Sequence, residues 1–204
     1  MKSIIAIILL AVSTLVQAGE PFSNTFYQKM GTMRTELIKA AGPFQRSLVV
    51  DELVEKMSML DVEVKVSTKS LSEGALYFPG VIIIGKDMAN LPREQLAFIL
   101  AHEYGHHMRT HWHSTLSRGV GLATAKGKSL TTVEELVPFL QAAVTPETSH
   151  ADEHEADRTA VMLLKQYGLF SEKSLFELFS NLGEGASDTH PSTVQRLQVM
   201  LGLQ

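Results

Sequence analysis

The stretch HEYGHHMRTHWH, residues 102–113, gathers five histidines and one glutamate into twelve residues. Imidazole binds metals and moves protons near neutral pH, so the question is which of the five can act on one centre. Residues four apart on a helix lie about 40° apart around the axis and one turn along it, so both side chains reach a common point. His102 and His106 meet that condition. On a continuous helix His107 is rotated by about 140° from His102 and His111 by about 180°, so both are expected to point elsewhere. His113 returns to the same face but about 16 Å further along, beyond the reach of a shared ion. In the His-Glu-x-x-His spacing, Glu103 follows the first ligand, close enough to take a proton from a water on the metal without ligating it. Gly105, between the ligands, lets a neighbouring backbone approach the helix.

A catalytic zinc takes three protein ligands and keeps a fourth position for water. The chain has no cysteine, so the third ligand must be a histidine or a carboxylate. A third histidine in the metzincin manner is excluded, because Arg109 stands where that pattern needs Gly and Trp112 where it needs His. The remaining source is HADEHEADR, residues 150–158. Helical phase separates its acids. Glu153 shares a stripe with Ala156, Asp157, Ala160, Val161 and Leu164, the apolar face of that helix. Acids on a buried face need a partner, which marks Glu153 as the ligand. Asp157, one turn on, is expected to orient a liganding histidine through its free ring nitrogen. Glu155 aligns instead with Arg158 and Thr159, and Asp152 lies among solvent-type residues.

These side chains need elements to hold them. Phe22, Phe26, Met30, Met33 and Leu37 recur at helical spacing before Gly42-Pro43, and Leu48 to Leu60 form a second amphipathic run. Val62, Val64 and Val66 then alternate as in a half-buried strand. ALYFPGVIIIGKD carries two apolar halves about Pro79-Gly80; proline cannot donate to a ladder, so the first half, Ala75–Phe78, reads as an edge strand. Pro92 opens the helix of PREQLAFILAHEYGHHM. Residues 114–130, rich in Gly, Ser and Thr, read as a mobile connection. Thr131-x-x-Glu134 caps a helix through Val144 containing Pro138; helices follow from about His150 to Tyr167, from Ser174-x-x-Glu177, and from Pro191. The outline is α+β, mostly helical with a small antiparallel sheet.

The chain has 204 residues, one domain's worth, with no internal repeat. It begins MKSIIAIILLAVSTLVQAGEP: a basic Lys2, an apolar run from Ile4 to Val16, and small residues before Gly19. That is the layout of a secretory signal peptide cleaved after Ala18, leaving 19–204 as the mature domain. The apolar run falls short of the roughly 20 residues that span a bilayer, and no later stretch is long and apolar enough. Eighteen basic against 22 acidic residues give a formal net charge of −4 and no basic tract, so nucleic acid is not an expected partner. Export points to a bacterial periplasm, with secretion as the second choice.

Four pieces in order, ALYFPG, LAFILAHEYGHHMRTH, EHEADR and THPSTVQRL, resemble gluzincin zinc metallopeptidases of the HtpX and BepA type, related to the Ste-type CaaX prenyl endopeptidases. That pattern of Glu, two residues, then Ala-Asp falls on Glu153 to Asp157, in agreement with the helical phase. The resemblance implies a zincin-like metallopeptidase domain with one Zn²⁺ on His102, His106 and Glu153, and Glu103 as general base. It further implies that His190, in His190-Pro191, faces the developing oxyanion with Arg196 beside it, or blocks the open position. The strand Ala75–Phe78 resembles the edge that pairs with an extended substrate. The implied activity is an exported metalloendopeptidase acting on extended or misfolded envelope polypeptides in quality control. The alternative is a non-proteolytic zinc-dependent periplasmic chaperone or assembly factor, which would have no need of a base at Glu103. Unlike the HtpX type, no transmembrane helices are expected after the metal helix, and unlike BepA no repeat domain is expected to follow.

Overall fold

The computed structural model describes residues 31, 34–35, 38–78, 80–128, 130, 133–182, 187 and 190–202. The expected signal peptide and the apolar positions of the first expected helix, Phe22 to Leu37, lie outside the described residues, as does Thr131. The elements in order are β1 (Phe44–Gln45), α1 (Leu48–Lys56), β2 (Glu63–Ser67), β3 (Ala75–Phe78) and β4 (Val81–Ile84), then α2 (Lys86–Ala89) and α3 (Arg93–Met108). They continue with α4 (His111–Ala125), α5 (Val133–Ala143), α6 (Pro146–Gln166), α7 (Glu172–Leu182) and α8 (Thr193–Leu201). No described helix is long and apolar enough to cross a membrane.

The sheet has the order β1-β2-β4-β3. β1–β2 and β3–β4 are antiparallel, but β2 and β4 run parallel, from Glu63 opposite Val81 to Val66 opposite Ile84. The sheet is therefore mixed, a correction to the antiparallel expectation. The reason is burial. Every residue of β4 is fully buried, which suits a central position with both faces covered. The tight turn at Gly80, with φ 77°, folds β3 back against β4, so β4 takes the place beside β2 and β3 is left at the edge. Side chains alternate across β4: Ile82 and Ile84 join the main core with Leu96, Leu100 and Leu164, while Val81 and Ile83 pack with Phe78 and Trp112 on the other face.

α3 is buried along most of its length, from Gln95 to Gly105, because the sheet, α6 and α7 all pack on it. Its closest approach is to α6. A Cβ built on Gly105 would lie 2.9 Å from the Ala156 carbonyl oxygen, so a side chain there would push α6 away. That contact brings the acids of α6 onto the turn of α3 bearing His102 and His106.

α3 stops at Met108, and Thr110 adopts a left-handed conformation, φ 53° and ψ 34°. α4 then leaves in a new direction and runs to Ala125, so most of 114–130 is helix, in place of the expected mobile connection. Its small residues serve packing. Trp112, Leu116, Gly119 and Ala123 are buried, and a Cβ on Gly119 would lie 2.7 Å from Leu140 of α5. α5 includes Pro138 as expected. α6 begins earlier than its apolar stripe, at Pro146, because Thr145 and Thr148 form a reciprocal capping box. α7 likewise begins at Glu172, where Ser171 Oγ accepts from the Ser174 amide at 3.2 Å. α8 starts after Ser192, which caps it reciprocally with Gln195, so Pro191 lies just outside the helix.

Candidate metal centre

His102 and His106, one turn apart on α3, and Glu153 of α6 each bring one ligand atom to a common point, all within 4.8 Å of one another. The separations are 3.2 Å between the two histidine Nε2 atoms, 3.2 Å from His106 Nε2 to Glu153 Oε1, and 3.5 Å from His102 Nε2 to Glu153 Oε2. Ligands at about 2.0–2.1 Å from a tetrahedral zinc lie roughly 3.3 Å apart, so the donor set fits that ion. Two ring nitrogens facing each other at 3.2 Å leave their lone pairs opposed unless a proton or a metal ion lies between them. The electrostatics agree. Burial opposes charge on His102, but Glu153 and Asp157 outweigh it and raise its pKa to about 10. Burial would push Glu153 up, yet His102, His106 and His190 hold its carboxyl well below the ordinary range. The centre favours a positive charge between its carboxylate and its imidazoles.

Each ligand has its own support. Asp157, fully buried, lies 3.0 Å from His102 Nδ1 and accepts its proton, which leaves Nε2 bare for the metal. Arg196 clamps Asp157 from α8, donating from Nε at 2.8 Å and from Nη2 at 2.6 Å, with its guanidinium over the Phe179 ring. Arg196 thus faces Asp157, and only Nη1 approaches Glu153, at 3.7 Å. His190 Nδ1 lies 3.0 Å from Glu153 Oε2, and its Nε2 lies 4.0 Å from Glu73 Oε2. His106 Nδ1 lies 2.8 Å from His111 Nδ1, a neighbour that the continuous-helix reading had turned away. Burial, with His106 beside it, lowers the His111 pKa. The reversal at Thr110 brings the ring back, and no periodic pattern signals it. Glu155, half exposed, lies 3.4 Å from His111 Nε2 and 3.5 Å from Arg109 Nε.

His107 serves the edge strand rather than the centre. Its Nδ1 lies 3.0 Å from the Tyr77 hydroxyl of β3, and its Nε2 lies 2.9 Å from Asp61, which also accepts from Tyr104. This tie fixes β3 along α3. Two cavities, of about 210 Å³ and about 400 Å³, adjoin the cluster, and both are lined by Ala75, His102, Glu103, Glu153 and His190. Glu103 thus borders both cavities beside the cluster. Burial raises its pKa above the ordinary carboxylate value, against the pull of His102 and His106.

The whole of this arrangement falls within residues 41–204, which match the model of peptidase family M48. The chain belongs to that family. No curated protein sequence matches it. Peptidases of family M48 are zinc-dependent, and the His-His-Glu cluster of this M48 chain supplies the donors for such an ion.

Proposed function

We propose that this M48 chain is an exported zinc metalloendopeptidase of the HtpX, BepA and Ste type. Its proposed substrates are extended or misfolded envelope polypeptides in the periplasm. The observation that carries the reading is the convergence of His102, His106 and Glu153 at tetrahedral ligand spacing, with Glu103 lining both cavities that adjoin them.

His102, His106 and Glu153 would hold one Zn²⁺. When bound, the ion supplies Lewis-acid chemistry, lowering the pKa of its water to about 7 and polarising the substrate carbonyl. The remaining work falls to side chains of the chain itself. β3, the free edge of the sheet, offers backbone donors and acceptors to an extended substrate, and Tyr77–His107–Asp61 holds that edge in place. Glu103, a stronger base for its burial, takes a proton from the attacking water and returns it to the departing amine. His190, at the groove, donates to the developing oxyanion. Arg196 is assigned to holding Asp157, since Nε and Nη2 already donate to that carboxylate.

Metal analysis of the purified mature chain should find one zinc per chain. Casein hydrolysis should stop with a chelator and return with added zinc. Hydrolysis that survives complete removal of the metal would refute the reading.

A further inference from the structure

His106 can meet a metal only through Nε2, the nitrogen that faces His102 and Glu153. Its proton must then sit on Nδ1, which points at His111 Nδ1 across 2.8 Å. An N–H needs an acceptor, so His111 must be bare at Nδ1 and carry its own proton on Nε2. That second proton faces Glu155 Oε2 at 3.4 Å, and the Arg109 guanidinium, with Nε 3.5 Å from Glu155 Oε1, attracts that carboxylate as an ion pair. Arg109 is anchored on Thr159 at 3.0 Å. The first two links fix the tautomers of His106 and His111, and Arg109 helps to place Glu155. The chain of contacts closes on itself in sequence: Arg109 and His111 flank Thr110, whose left-handed backbone turns both toward α6.

We infer that His111 is a positioning residue for the ligand His106, fixing its tautomer and ring orientation, with Glu155 and Arg109 fixing His111. The inference rests on the zinc reading above. His111 is 6% exposed, so its ring is also packed, and a bulk effect must be separated from the hydrogen bond. Substitution by Asn does this, because its amide oxygen falls near the place of Nδ1 and can accept from His106, whereas Leu fills space without accepting.

The test is the zinc dissociation constant of the full mature chain, measured by competition with a chromophoric chelator, beside the thermal melt of each metal-free protein. His111→Leu should bind zinc about 10–100-fold more weakly, the usual range for losing such a partner of a ligand. His111→Asn should recover most of that loss, and Glu155→Ala should weaken binding by a smaller factor than His111→Leu. Equal affinity in the wild type and His111→Leu, with both folded, would overturn the inference, as would an Asn variant no better than Leu. If the Leu variant does not fold, Glu155→Ala decides, and unchanged affinity there overturns the chain of contacts. A wild-type chain that binds no zinc would take down the zinc reading, and this inference with it.

Discussion

The two histidines of the candidate metal centre sit one turn apart on α3, yet they are held in different ways. Behind His102 stands a carboxylate with no exposure to water, Asp157, itself clamped by Arg196 from α8. Behind His106 stands a second imidazole, His111, from the segment that follows, and behind that a carboxylate half open to solvent. The first support ties α3, α6 and α8 together through charge in a dry interior. The second depends on a backbone reversal at Thr110 and ends at the surface. A charge-assisted hydrogen bond between buried partners is the stronger of the two, because low dielectric and close packing both act on it. The difference predicts a graded response of the metal site to loss of each support, following the burial of the residue removed.

The largest effect should come from Asp157→Ala. It leaves Arg196 buried without its partner, a change that typically costs about 3–5 kcal/mol of stability, and zinc affinity should fall by roughly 100-fold. Asp157→Asn separates the two effects, since the amide still accepts from His102 but no longer neutralises Arg196. Burial opposes charge on Asp157, yet hydrogen bonds from Arg196 and His102 hold its pKa below the ordinary 3.8. Its contribution is therefore complete above that value and is lost as pH falls through the depressed one. Acid unfolding followed by circular dichroism should begin at higher pH in the Asn variant. An Asp157→Ala protein as stable and as tight for zinc as the wild type would break the comparison.

Much of this centre is legible in the sequence. The four-residue spacing selects His102 and His106, and the apolar stripe Ala156, Ala160, Val161, Leu164 turns Glu153 and Asp157 inward. Both signals are local, set by the period of a helix. What escapes is set by contacts between elements. Nothing in Val62–Val66 or Val81–Ile84 says that the two strands run parallel, because direction follows from which strand must lie in the middle. The glycines of α4 look like flexibility, but Gly119 admits Leu140. His111 is lost for the same kind of reason: a helical wheel carried past Met108 places it on the far side, while the left-handed Thr110 restarts the count.

The smallest effect on the metal should come from His190→Ala, since this side chain is 47% exposed and touches Glu153 from the groove. Zinc affinity should barely change, while turnover of a peptide substrate falls by up to the 10²–10³-fold typical of a lost oxyanion donor. A rise in basal turnover would instead show that His190 restrains a resting enzyme. Loss of zinc on the scale of Asp157→Ala would contradict the ordering by burial.

Glu103 is proposed as the base for hydrolysis at this centre, and Glu103→Gln isolates that role. The amide keeps the shape of the side chain but cannot take a proton. Zinc content and casein turnover should be measured on the same purified sample. The variant should keep a full complement of zinc with hydrolysis reduced by about 10²–10⁴-fold, the usual range for a lost general base. Proteolysis retained at wild-type rate in the zinc-loaded Glu103→Gln protein would contradict it.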